Sequence, residues 1–329
     1  MCTSLTLKTK DGHNIFGRTM DFAIQFNESV NIIPRNFVWS TEVDKKERKS
    51  KYATIGMAVV INNHPVLADG MNEKGLICAT LYFPGFSQFE EKTVNNKENV
   101  PSYDFVFWVL SQFENLNQVK KALKNMSIVN KTLSILNFAP PLHWILTDRS
   151  GKSIVVEKTS RGLEIFDNPV GVMTNSPNFQ WHLSNLRQYI GLRPKQFENA
   201  MWGDLELAAF SQGSGTFGLP GDFTPPSRFV RAAYLKNNIA DTDNEIKGIN
   251  GVFHILSNCE VPKGVVLKSD DLSDYTFYTS AMCSESGNYY YHTYENRQIS
   301  VINLYNEDLD SNDIKEFPNI KKEFLNKIN

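Results

Sequence analysis

Thr3, Leu5 and Leu7 alternate with Ser4, Thr6 and Lys8. Side chains on a strand point to opposite faces in turn, so this period of two predicts a strand beginning almost at residue 2. Asp11-Gly12 supplies a turn, and residues 14–19 return as a second strand to close a hairpin. Residues 52–60, 66–69 and 76–82 read as further strands, with Asn72-Glu73-Lys74-Gly75 turning between the last two. The period then changes. After Pro101-Ser102, the side chains of Phe105, Trp108, Val109 and Gln112 fall on one helical face. Asn117 is placed to cap a second helix with Val119, Ala122, Leu123 and Met126 at helical spacing. Strands resume over residues 142–147, 154–157 and 163–167. Helices are expected near residues 179–190 and 228–236, and around Val252, Ile255, Leu256 and Cys259. Residues 275–283 and 288–304 close the chain as strands, with a turn near Glu295-Asn296.

Strands thus come in hairpin-like runs at both ends, with helices in two blocks between them. That order excludes the alternating pattern of a doubly wound sheet and predicts an α+β fold of antiparallel sheets carrying helices on their outer faces. The segment 193–226 interrupts the regularity with four prolines and Gly213-Ser214-Gly215, and is expected to hold long loops. The run 45–51 (KKERKSK) reads as a solvated loop.

Composition narrows the choices. The chain has 329 residues, 34 Lys plus Arg against 36 Asp plus Glu, and a net charge of −2. That balance offers nothing to nucleic acid or an anionic membrane. Charged residues interrupt the first 21 positions, and no run of about 18 apolar residues follows, so neither a secretory signal nor a membrane span is expected. The expected compartment is the cytoplasm. Four scattered cysteines, Cys2, Cys78, Cys259 and Cys283, make neither a disulfide framework nor a zinc motif.

Position gives Cys2 its interest. Loss of the initiator Met would leave an α-amine and a thiol on one carbon. A thiolate is the reactive nucleophile, and an α-amine titrates close enough to neutrality to serve as base without a histidine. In the predicted hairpin, Arg18 and Asp21 return beside the N-terminus, where a cation favours a thiolate and a carboxylate can hold an amine. By spacing alone, both also fit plain surface positions.

These residues resemble the choloylglycine hydrolase family of N-terminal nucleophile amidases, which contains conjugated bile acid hydrolases and penicillin V acylases. The resemblance runs end to end. It is carried by residues 2–5 (CTSL), 17–22 (GRTMDF), 69–76 (DGMNEKGL), 171–177 (GVMTNSP), 218–222 (GLPGD), 227–229 (SRF) and 278–280 (YTS). It implies a four-layer αββα sandwich over residues 1–329 as one domain, with a projecting loop segment at about 193–226 that embraces a neighbouring subunit in a homotetramer. It implies Cys2 as nucleophile and, through its amine, as base. Arg18 and Asp21 would hold and polarise that terminus. Asn175 and the Tyr82 backbone N–H would form the oxyanion hole, and Arg228 would complete the charge network. No metal or cofactor is implied. The six histidines, His13, His64, His143, His182, His254 and His292, read as structural.

Within the family, Tyr82, where typical bile salt hydrolases carry Asn and penicillin V acylases commonly Tyr, and the run 138–144 (FAPPLHW) resemble the penicillin V acylase branch; a Tyr face could also stack on a phenoxyacetyl group. The alternatives are a bile salt hydrolase or an N-acyl homoserine lactone acylase. Met20, Phe22, Ile24, Phe26, Met57, Val59 and Phe138 are the candidate walls of an acyl pocket. Two other classes stay open: a Cys–His hydrolase built on Cys78, Cys259 or Cys283, and a non-catalytic binder of amphipathic acids.

Overall fold

The computed structural model describes residues 1–269 and 271–329. Fourteen strands, taken in chain order, build two large antiparallel sheets. They are β1 (Cys2–Lys8), β2 (Asn14–Phe22), β3 (Ser29–Ile33), β4 (Thr54–Ile61), β5 (His64–Asn72), β6 (Ile77–Tyr82) and β7 (Leu142–Thr147). The rest are β8 (Ser153–Thr159), β9 (Gly162–Asp167), β10 (Val172–Met173), β11 (Tyr275–Cys283), β12 (Asn288–Thr293), β13 (Ser300–Asn303) and β14 (Lys315–Phe317). The six-stranded sheet runs β10-β1-β2-β11-β12-β13, and the eight-stranded sheet runs β9-β8-β7-β6-β5-β4-β3-β14.

The sheets face each other through an apolar layer that includes Phe16, Ile55, Met57, Met71 and Ile145. Helices α1 (Phe105–Gln112) and α2 (Leu116–Leu123) cover the outer face of the eight-stranded sheet, where Phe105 and Leu110 meet Cys78, Trp144 and Leu146. Helices α4 (Pro225–Asn238) and α5 (Glu245–Ser257) cover the six-stranded sheet, and α3 (Phe179–Asn185) leads from β10 toward α4. The order helix, sheet, sheet, helix is the expected four-layer α+β sandwich. Its helices sit close: a Cβ at Gly17 on β2 would lie 2.3 Å from Val252 Cγ1 of α5.

Several local expectations shift. The cap of α2 is Asn115, not Asn117; its side chain accepts from Gln118 N at 3.1 Å. Leu116 is already buried against the core, so the helix must start there. Cys259 lies beyond the end of α5. The expected helix over 179–190 is α3 followed by a 3₁₀ turn, Leu186–Tyr189. Strands β3, β10 and β14 went unread. Every residue of β3 is buried, including Ser29 and Asn31, so it shows no polar outer face. Within 193–226, the strands Ala200–Trp202 and Leu205–Leu207 pair as an exposed hairpin. No helix among the described residues is long and apolar enough to cross a membrane.

Candidate active site

The β1–β2 register places Cys2 opposite Met20 and Ser4 opposite Arg18. Alternation then divides the neighbourhood in two. Cys2, Arg18 and Met20 share the face turned toward the other sheet. Thr3, Thr19 and Asp21 share the face turned toward α4. The thiol and the main-chain nitrogen of Cys2 therefore meet different partners.

On the inner face, Arg18 Nη2 lies 2.9 Å from Cys2 Sγ and 3.1 Å from Met20 Sδ. Burial opposes the Arg18 charge, but the pull of Cys2, Tyr278, Asp69 and Asp21 outweighs it and holds the guanidinium above its ordinary value. A buried cation against sulfur suits a sulfur that works as an anion.

On the outer face, Asp21 is fully buried and accepts from Thr276 Oγ1 at 2.6 Å and Thr19 Oγ1 at 3.1 Å. Arg228, near the start of α4, stands 4.0 Å from Asp21 and donates to Cys2 O at 2.5 Å and Thr3 Oγ1 at 2.6 Å. Burial pushes the Asp21 carboxyl up while Arg228 draws it back. Burial also pulls Arg228 below its usual range, with Asp21 opposing. Met1 spans this region. Its amine donates to Asp21 O at 2.6 Å, and its carbonyl accepts from Asp21 N at 3.1 Å.

Asn175 arrives from β10, whose pairing with β1 (Ser4 with Met173) puts it level with Cys2. Its Oδ1 accepts from Cys2 N at 2.8 Å and from Arg228 Nη2 at 2.7 Å, which fixes the amide orientation. Its Nδ2 donates one hydrogen to Tyr82 O at 2.7 Å. The second amide hydrogen is left for a ligand. Phe83 N donates to Pro141 O at 2.7 Å, so by the alternation of an antiparallel ladder the Tyr82 N–H turns away from β7.

Two histidines brace this segment, a role their spacing did not signal. His182 Nε2 meets Asn175 O at 2.9 Å, and His143 Nε2 meets Thr174 O at 3.0 Å while its Nδ1 faces Glu157 at 3.2 Å. Burial lowers His182 to about 4.

An apolar cleft opens on Cys2. Of the expected wall residues, Met20, Phe22, Phe26, Met57 and Val59 line it; Ile24 and Phe138 do not, and both are partly exposed side chains outside the lining. Leu133, Ile135, Leu136 and Leu142 add to the wall. Leu133, Ile135 and Leu136 come from a loop with no regular period, so no pattern marks them, whereas Leu142 opens β7. Tyr82 meets Phe22 edge-on at 5.6 Å.

The other thiols are poor nucleophiles. Burial holds Cys78 well above its ordinary value, raises Cys259, and pushes Cys283 up to about 11. Cys283, His13 and Glu245 offer ligand atoms within 4.8 Å of one another. They lie at the far end of the β2–β11 ladder, where Cys283 pairs with Ile15.

This layered sandwich, with a cysteine leading its first strand, is the fold of the N-terminal nucleophile hydrolases. Residues 2–317 match the model for linear amide C–N hydrolases, choloylglycine hydrolase family, and the chain belongs to that family. It is 46% identical to a bile salt hydrolase/transferase of Clostridium perfringens, over 100% of both chains. It is 36% identical to a conjugated bile acid hydrolase of Lactobacillus acidophilus, over 94% of this chain and 98% of the relative. A variant of the conjugated bile acid hydrolase from Clostridium perfringens superposes with a TM-score of 0.94, at 46% identity and 100% coverage of both chains. A penicillin V acylase from Agrobacterium tumefaciens shares the fold at a TM-score of 0.78 and 22% identity, covering 96% of this chain and 91% of that one. The protein is an amide hydrolase. The lean toward penicillin V acylase is displaced, because the full-length likeness runs to the bile salt enzymes.

Proposed function

We propose that the enzyme hydrolyses conjugated bile acids with Cys2 as an N-terminal nucleophile. The observation that carries this reading is the apolar cleft that ends on Cys2 Sγ. Its aliphatic and aromatic walls suit a fused-ring acyl group. The full-length likeness to bile salt hydrolases supports the same substrate class.

In the proposed mechanism, cleavage of the Met1–Cys2 bond frees the α-amine. Arg18 steadies the thiolate, which attacks the amide carbonyl. Oxygen charge develops toward the spare Asn175 Nδ2–H and the Tyr82 N–H. The α-amine, held by Asn175 Oδ1 and the Asp21 and Arg228 pair, takes up the Cys2 thiol proton and passes it to the leaving nitrogen. The C–N bond breaks, an acyl-thioester remains, and water releases the acid. The same scheme uses no histidine.

Turnover of glycocholate, taurocholate and penicillin V by one preparation tests the substrate class. Faster hydrolysis of penicillin V than of both bile conjugates would reverse it.

We also read residues 1–329 as one cytoplasmic domain that assembles as a homotetramer through segment 193–226. Trp202, Phe210 and Phe217 are strongly exposed there, which supports a surface made to be covered. Light scattering on the intact chain and on a chain shortened between 199 and 208 checks this; a monomeric parent would end the proposal.

A further inference from the structure

On β5 the ladder slips. Met57 pairs with Asp69 but Ala58 pairs with Leu67, so Ala68 is an extra residue in a β-bulge. A bulge frees backbone groups and re-aims side chains, often beside active sites. Here the freed Ala68 carbonyl accepts from Arg18 Nη1 at 3.1 Å, and Asp69 Oδ2 lies 3.5 Å from the same nitrogen. Gly56 across the ladder permits this path: a Cβ there would sit 2.2 Å from Asp69 O.

Asp69 belongs to the eight-stranded sheet, yet its partners come from the other one. Tyr278 donates to Oδ2 at 2.7 Å, Tyr289 to Oδ1 at 2.5 Å, and Ser280 reaches Oδ1 at 3.5 Å. Asp69, Arg18, Ser280 and Tyr289 are wholly buried and Tyr278 nearly so. Burial keeps both phenols far above their usual range, so they remain donors. Every edge of the Arg18 guanidinium is thereby assigned. Nη1 faces the bulge and Asp69, Nε donates to Thr19 O at 3.2 Å, and Nη2 is left for the sulfurs of Cys2 and Met20. An arginine side chain is long and rotatable; a fixed carboxylate on one side decides what the other side points at.

We propose that Asp69, held by Tyr278 and Tyr289, is a positioning residue that aims Arg18 at the Cys2 sulfur. The inference rests on Cys2 being the nucleophile. A rival account makes the same cluster only a polar tie between sheets.

The test is Asp69→Asn, with Tyr289→Phe as the milder variant that keeps the carboxylate. If Asp69 aims Arg18, kcat for glycocholate falls about tenfold or more while KM moves less than about twofold. The acid limb of the kcat/KM profile also shifts to higher pH, and alkylation of Cys2 by iodoacetamide, read by peptide mapping, slows at neutral pH. Tyr289→Phe moves the limb in the same direction by less. A lowered melting temperature with an unmoved limb and unchanged alkylation overturns the proposal in favour of a sheet tie. If Asp69→Asn does not fold, the limb in Tyr289→Phe decides. Cys2→Ala separates the two levels. Activity retained in it removes the nucleophile reading altogether. An inactive Cys2→Ala beside an unshifted Asp69→Asn removes only the role of Asp69.

Discussion

Asn175→Asp removes both amide hydrogens and keeps the acceptor oxygen. In the native site the Asn175 oxygen accepts from Cys2 N and Arg228 Nη2, and one amide hydrogen is spent on Tyr82 O. A carboxylate keeps the two acceptor contacts and strengthens the one to Arg228. It removes the spare N–H, the group assigned to the developing oxyanion, and also the N–H on Tyr82 O, which then faces a carboxylate oxygen. Loss of one such donor costs about 10²–10³ in kcat, or roughly 2.7–4 kcal/mol. Asn175→Ala goes further, because it strips the acceptor from a buried guanidinium N–H, at roughly 1–3 kcal/mol of stability. The assay is glycine release from glycocholate at saturation, with urea unfolding run on the same preparations. The expected pattern is a fall in kcat for both variants, with a loss of stability in each: Asn175→Ala strips the acceptor from Arg228, and Asn175→Asp sets a carboxylate against Tyr82 O. A well-folded Asn175→Asp enzyme whose kcat stays within about threefold of the parent would refute the oxyanion assignment.

The other predictions concern acid stability, layer packing and the acyl pocket. His182 has a folded value of about 4 against 6.5 when free, so the unfolded chain binds its proton first as pH falls. Its contribution is intact above 6.5 and is lost on the way down through 4, roughly 3 kcal/mol in all; urea unfolding across that range is expected to show a steeper acid loss in the parent than in His182→Gln, and equal slopes would contradict it. Gly17→Val drives a side chain into Val252 and is expected to lower stability by about 1–3 kcal/mol, seen as a reduced urea midpoint. Phe22→Ala removes a cleft wall and its contact with Tyr82, and is expected to raise KM for glycocholate about tenfold, the equivalent of roughly 1.4 kcal/mol of apolar contact.

The β1–β2 hairpin was legible because one of its strands alternates cleanly and a strong turn joins them, and that register already carries Cys2 toward Arg18. Asn175 and Arg228 were not legible by spacing. Each reaches Cys2 across most of the chain, and only the family resemblance pointed to them. The bulge at Ala68 was invisible for a different reason: an inserted residue disturbs a ladder without leaving a local motif. Ile24 and Phe138 lie outside the cleft lining: apolar character shows that a side chain can line a pocket, not where the backbone aims it. Strand β3 escaped because burial of every position erases the alternation by which strands are read.

The central claim is that Cys2 works as a free N-terminal residue. Intact-mass measurement of a preparation, paired with its specific activity on glycocholate, tests this most directly. The account predicts that active enzyme has lost Met1 and that a chain blocked from losing it is inert. Full turnover by protein whose mass still includes Met1 would contradict it.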